Sequence, residues 1–277
     1  YWISYVDITK FAGGIPVIVP CAVENDFKLT PELLEASITP KTRWLILNSP
    51  SNPCGAVYSA DDLRALADVL VRYPDIAIFS DDIYEHIIYD DFEFATIAAV
   101  APELKDRTVT MNGASKVYAM TGWRMGYCGA PATLVKQMTK LQQQTTGCAS
   151  AISQAAAVAA LSGPQDFVQE RTARFQERRD MVVSMINQAR GLKCPVPKGA
   201  FYVFPSCADL IGKKTPDGKV IETDQDLTLY FLESEGVAVV HGGAYGMSPF
   251  FRISFAASDD ELREACERIQ RACASLI

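Results

Sequence analysis

Three stretches of this 277-residue chain place reactive side chains directly after short apolar runs. Trp44–Leu47 leads into NSPSNPCG at 48–55, Ile76–Phe79 into SDDIY at 80–84, and Thr108–Met111 into NGASKVYAMTGWR at 112–124. The first supplies the amide of Asn52. The second supplies the carboxylate of Asp81, with the phenol of Tyr84 three residues on. The third supplies the ammonium of Lys116 and, eight residues later, the guanidinium of Arg124. Each has an ordinary reading on its own: Asn52-Pro53 as a turn opener, Asp81 as a loop carboxylate or helix cap, Lys116 as a solvated loop lysine.

Taken together they describe one ligand. A lysine that forms a Schiff base must reach a carbonyl and lose its proton, helped by a nearby cation or by desolvation. An arginine beside it is a forked donor for a phosphate. A carboxylate pairs with a protonated pyridine nitrogen, and a phenol and an amide both hydrogen-bond a ring oxygen. Aldehyde, phosphate, pyridinium and ring hydroxyl are the groups of pyridoxal phosphate, whose ring is an electron sink for carbanions.

Such groups meet only if the elements carrying them share an edge. In open parallel sheets, ligands bind at the carboxyl ends of the strands. The first half alternates apolar runs with helical patterns, as a mostly parallel sheet covered on both faces does. Ile15–Pro20 and Trp44–Leu47 read as strands, followed by Ile76–Phe79, Thr108–Met111 and Met125–Cys128. Thr30 before Pro31 marks a helix start. Ser59, with Asp62 three residues on, marks another that carries Leu63, Leu66, Ala67, Leu70 and Val71 on one face. The short link between the last two strands allows one antiparallel pairing. Beyond Pro131 the pattern turns helical, with one long helix over Gln165–Arg190. Shorter runs follow at Phe201–Phe204, Val237–Val240 and Phe251–Phe255, then a helix capped by Ser258 with Glu261. The segment 212–220, GKKTPDGKV, reads as an exposed, turn-rich loop.

The fold class is therefore α/β: a large domain over 1–170 with a mostly parallel sheet flanked by helices, then a smaller α+β domain over 171–277, joined by the long helix near 165–190. Composition narrows the function. A net charge of −7 argues against non-specific nucleic-acid binding. The densest basic stretch, Arg171–Arg179, alternates with Glu170 and Glu177 as a solvated helix face does. Eight cysteines without a CxxC pair read as thiols of a reducing compartment. His86 and His241 lack metal-ligand spacing, so no metal site is expected. No apolar run approaches the roughly 20 residues of a membrane helix.

The strings SNPCG, SDDIY, SKVYAMTGWR and FRISFA, in this order and spacing, resemble the class I/II pyridoxal-phosphate-dependent aminotransferases, and among them most nearly the bacterial aspartate aminotransferase branch. The resemblance spans the whole chain and implies the fold-type-I architecture, a cytoplasmic homodimer with shared active sites, and amino-group transfer from an amino acid, aspartate above all, to a 2-oxo acid such as 2-oxoglutarate by a ping-pong mechanism. Residue by residue, Lys116 matches the Schiff-base lysine that also moves the substrate proton. Asp81 matches the pyridine-nitrogen partner, and Tyr84 and Asn52 the pair bonding the ring oxygen. Arg124 matches a phosphate ligand, with Ser115 as a second. Trp2, in YWISY, matches the aromatic stacked on the cofactor ring, and Arg252, in FRISF, the arginine that grips the substrate α-carboxylate. Asp82 stands where relatives often carry glutamate and reads as structural. Cys54 replaces a usual threonine and Phe255 a frequent tyrosine, neither removing a polar contact assigned here.

Two other outcomes share these motifs. A carbon–sulfur lyase or elimination synthase on the same fold uses the same lysine and carboxylate. A non-enzymatic cofactor-binding domain, or an inactive truncated fragment, is the other. Relatives carry a substantial portion before the YW motif, including a glycine-containing phosphate loop and a residue that reads the substrate side chain. The resemblance thus implies either a longer protein or a truncated one with an open sheet edge and an incomplete phosphate cup.

Overall fold

The computed structural model describes residues 1–277, which gather into two compact units. One comprises 21–50 and 57–172, the other 1–20, 51–56 and 173–277. The division falls within the long helix Asp166–Asn187.

The first unit is built on a four-stranded sheet in the order β1 (Trp44–Asn48), β2 (Ala77–Asp81), β3 (Thr108–Gly113), β4 (Gly126–Gly129). The first three run parallel and β4 is antiparallel to β3, so the short link closes a hairpin as its length allows. Asn48 is level with Asp81, and Asp81 with Met111, which brings three carboxyl ends to one edge. The helices start where local chemistry dictates. The Thr30 side chain accepts the Leu33 N–H at the head of Pro31–Ser37. Ser59 and Asp62 form a reciprocal capping box on Ala60–Leu70, satisfying two N–H groups that no helical carbonyl can reach. That helix buries Leu63, Leu66, Ala67 and Leu70. Arg107, half-buried, closes the region by donating to the carbonyls of Leu70, Tyr73 and Ile76 at 2.7, 2.8 and 2.5 Å.

The second unit has an antiparallel sheet in the order β5 (Tyr202–Val203), β7 (Phe251–Ser254), β6 (Val240–His241), with the helices Asp224–Glu235 and Asp259–Ser275. Ser258 and Glu261 form a second capping box, and Leu262, Cys266, Ile269 and Cys273 repeat along the buried stripe of the last helix. Phe231 and Phe251, both fully buried, meet edge to face at 5.6 Å.

The structure corrects four expectations. Ile15–Pro20 joins no sheet: Ile15 and Val17 are 87% and 70% exposed, and β-branched residues without a partner strand form no ladder. The run Val237–Val240 pairs only from Val240, because Gly236 ends the preceding helix in a left-handed conformation and the Val237 N–H bonds back to the Phe231 carbonyl. Arg171–Arg179 is not wholly a solvated face. Arg179 is 3% exposed, ion-paired with Asp180 and donating to the Pro197 carbonyl. The segment 212–220 is exposed except around Thr215, which is 2% exposed and accepts the Lys219 N–H.

Candidate active site

In the first unit the site is laid out by strand register. The end of β2 is held to the end of β1, since the Asp81 carbonyl accepts both the Ser49 N–H at 3.2 Å and the Asn48 side-chain amide at 3.0 Å. Asp81 is 4% exposed and its carboxylate accepts the Ile83 N–H at 3.2 Å, which turns the chain toward Tyr84, itself 2% exposed. Asp82 points into a different set of contacts: its carboxylate accepts the Ser80 hydroxyl at 2.7 Å. Burial pushes the Asp82 carboxyl up to about 6, against the pull of the Ser80 hydrogen bond, and the charges of Glu85 and Asp81 add to the push.

The β3–β4 hairpin explains the eight-residue spacing of Lys116 and Arg124. Gly113 pairs with Gly126, and beyond that rung the Ala114 N–H bonds to the Met125 carbonyl at 3.2 Å. Ser115 and Arg124 are thus the next residues on the two sides of the closed ladder, and Lys116 follows at once. Arg124 takes a left-handed conformation (φ 52°, ψ 46°) and one guanidinium nitrogen donates to the Thr121 carbonyl. Lys116 is half-buried, with Nζ 5.9 Å from the centre of the Tyr84 ring. Asp81, Tyr84, Ser115, Lys116 and Arg124 therefore come from the same edge of one sheet.

The second unit holds the other three residues named from the sequence. Asn52 is 6% exposed, and its Oδ1 accepts the Arg252 Nη1 at 3.0 Å, closing a contact across 200 residues of chain. The segment bearing Asn52 is fixed there because the Gly55 carbonyl accepts the N–H groups of Lys198 and Gly199 at 3.1 and 3.0 Å. Gly55 has φ +68°, and a Cβ on it would stand 2.5 Å from the Pro197 Cβ, so only glycine fits without strain. Arg252 is half-buried on β7, with Cζ 4.6 Å from the Tyr202 ring centre and 5.3 Å from that of Tyr245. Its buried Nε has no hydrogen-bond partner. Trp2 lies on a different element, just ahead of the helix Ser4–Phe11, 39% exposed and edge-on to Tyr5 at 5.5 Å. The two tyrosines beside Arg252 are not singled out by sequence. In GAFYVF and GGAYG they look like ordinary core aromatics.

The donor set suits pyridoxal phosphate. The first unit supplies a buried carboxylate, a buried phenol, a primary amine, a hydroxyl and a guanidinium along one edge, the complement of a pyridinium, a ring oxygen, an aldehyde and a phosphate. The second unit supplies a guanidinium with an orphaned buried donor, which a carboxylate would satisfy.

Comparison with known proteins accords with this chemistry. The family model for aminotransferase class I and II matches residues 1–269. The aspartate aminotransferase of Rhizobium meliloti (strain 1021) is 58% identical over 99% of this chain and 67% of its own length. The aspartate/prephenate aminotransferase of Cereibacter sphaeroides is 53% identical over the whole chain and 69% of its own. A crystal structure of the aspartate aminotransferase from Rhizobium meliloti superimposes with a TM-score of 0.98 at 57% identity, covering all of this chain and 69% of that one. The chain spans about two thirds of the length of these relatives. It belongs to the class I and II aminotransferases, on the fold-type-I architecture, and is a pyridoxal-phosphate-dependent aminotransferase.

Proposed function

We propose that this aminotransferase takes aspartate as amino donor and 2-oxoglutarate as acceptor, in ping-pong order, with the site residues in the roles their positions allow. The observation that carries the reading is the hairpin geometry, in which Ser115 and Arg124 flank the last closed rung and Lys116 projects beside buried Tyr84. When bound, pyridoxal phosphate supplies an electron sink for the carbanion formed at the substrate α-carbon. Lys116 provides the amine that binds the cofactor aldehyde and later takes and returns the α-proton. Asp81 holds a proton on the pyridine nitrogen through its buried negative charge. Tyr84 and Asn52 serve the ring oxygen, Arg124 and Ser115 the phosphate, and Trp2 the ring face. Arg252 grips the α-carboxylate that donor and acceptor share, which suits one site used by the two in turn.

The aspartate preference rests on the similarity to proteins named for that substrate. The reading extends to a cytoplasmic homodimer with shared active sites. Free cysteines support the compartment. The helix Ser4–Phe11 buries none of its residues, and Phe11 and Ile15 are 90% and 87% exposed, the kind of apolar surface that a second subunit covers.

The test is Lys116→Ala. The variant should lose the visible absorption of lysine-bound cofactor and all transfer activity, while the parent makes glutamate from aspartate and 2-oxoglutarate. Retention of the absorption band would remove Lys116 from its role. With cysteine as substrate and no acceptor, pyruvate and ammonia formed as the β-thiol leaves as sulfide would instead point to elimination.

A further inference from the structure

Asp224 is a buried carboxylate outside the candidate active site. It is 3% exposed, at the first position of the helix Asp224–Glu235, where the positive end of the helix dipole favours an anion. One carboxylate oxygen, Oδ2, gathers three donors from a single loop: the Ser248 hydroxyl at 2.7 Å, the Gly243 N–H at 3.1 Å and the Phe250 N–H at 3.4 Å. The other, Oδ1, lies 3.9 Å from Nδ1 of His241. The loop, 242–250, connects β6 to β7 and ends two residues before Arg252. It also closes on itself, with the Gly242 N–H bonded to the Phe250 carbonyl at 2.7 Å and the Met247 N–H to the Gly242 carbonyl at 3.0 Å. A Cβ on Gly242 would stand 2.1 Å from the Met247 oxygen, so the loop leaves no room for any other residue there.

The product of this clamp is the placement of Tyr245. Its ring is 3% exposed, edge-on to Phe204 at 6.1 Å, and its centre lies 5.3 Å from Arg252 Cζ, with that of Tyr202 at 4.6 Å. Arg252 thus has both rings beside its guanidinium and is tethered at Nη1 by Asn52. Two neighbouring aromatic rings and one tether restrict the guanidinium, and a planar fork binds a carboxylate well only when its plane is set.

We infer that Asp224 is a positioning residue for substrate binding: by clamping the loop 242–250 it seats Tyr245 against Arg252 and so orients the arginine toward the carboxylate of the substrate. The inference rests on the assignment of Arg252 to the substrate carboxylate, and the experiment separates the two. In the holoenzyme, KM for donor and acceptor, kcat, the Kd of a non-reacting dicarboxylate and the absorption of bound cofactor are measured for Asp224→Asn, Ser248→Ala, Tyr245→Ala, Arg252→Lys and the double variant Asp224→Asn/Tyr245→Ala. Asp224→Asn keeps the shape of the side chain but loses the charge that holds three donors. It should raise both KM values and the inhibitor Kd by a similar factor, about ten-fold, with the cofactor spectrum unchanged. Ser248→Ala removes one strand of the clamp and should show the same pattern at about three-fold. In the Tyr245→Ala background the Asp224→Asn effect on KM should vanish, because coupled residues are not additive. If Asp224→Asn and Ser248→Ala lower the melting temperature while KM and Kd stay at parental values, or if the two effects simply multiply in the double variant, the positioning role is overturned. If Arg252→Lys itself leaves KM and Kd unchanged, it is the assignment of Arg252 that fails.

Discussion

Replacing Asp82 by asparagine should stabilise the protein above pH 6 and leave it nearly unaffected near pH 4. Asp82 is 2% exposed, and burial holds its carboxyl at about 6 in the native state, against about 3.9 in an unfolded chain. Between those values the native state keeps a proton that the unfolded state has lost. Stability therefore falls as pH rises through this window, since its slope follows the protons bound in the unfolded state less those bound in the native state. The contribution is fully present below pH 4 and lost above pH 6. Two pH units of difference correspond to about 3 kcal/mol. Asparagine carries no charge to bury and keeps an oxygen for the Ser80 hydroxyl, which bonds Asp82 at 2.7 Å. The carboxylates whose affinity for protons is lowered by partners elsewhere, such as Asp62 beside Lys28, are common to both proteins and cancel in the difference. Urea unfolding of parent and Asp82→Asn at half-unit steps from pH 4 to pH 7.5 gives that difference directly. It should grow by about 3 kcal/mol in favour of the variant across the window. A difference that stays flat, or grows toward acid, refutes the assignment of a buried, proton-holding carboxyl beside Asp81.

Arg107→Ala should lower the stability of the unit around β2 by about 2–4 kcal/mol in urea unfolding, because the carbonyls of Leu70, Tyr73 and Ile76 lose a shared charged donor; Arg107→Lys, which cannot fork, should recover only part of it. Thiol labelling of the native protein at pH 8 should modify exposed Cys148 first and leave Cys207 and Cys273 untouched until unfolding, since burial holds both at about 12.

What could be read in the sequence was the chemistry that closes within a few residues. The capping boxes Ser59–Asp62 and Ser258–Glu261 need only a four-residue pattern, and both are formed. The hairpin that brings Arg124 beside Ser115 and Lys116 is set by a link too short for a helical crossover. Where the outcome depended on what lay opposite, the sequence was silent or misleading. Ile15–Pro20 has the residues of a strand yet joins no sheet. Arg179 has the spacing of a surface arginine, yet the Pro197 carbonyl waits across from it.

The second unit shows how distant contacts hold Arg252. A guanidinium on a strand rotates about several bonds, and holding its plane takes several contacts at once. No single neighbouring segment supplies them all. Arg252 takes its hydrogen bond from Asn52 and ring contacts from Tyr202 on β5 and Tyr245 in the loop before β7. Each of these is in turn held by a group from elsewhere: the Asn52 segment by the backbone of Lys198 and Gly199, the Tyr245 loop by the buried carboxylate of Asp224. The motif FRISFA thus names the arginine, while its orientation is set by residues at 52, 202, 224 and 245 that have no common pattern along the chain.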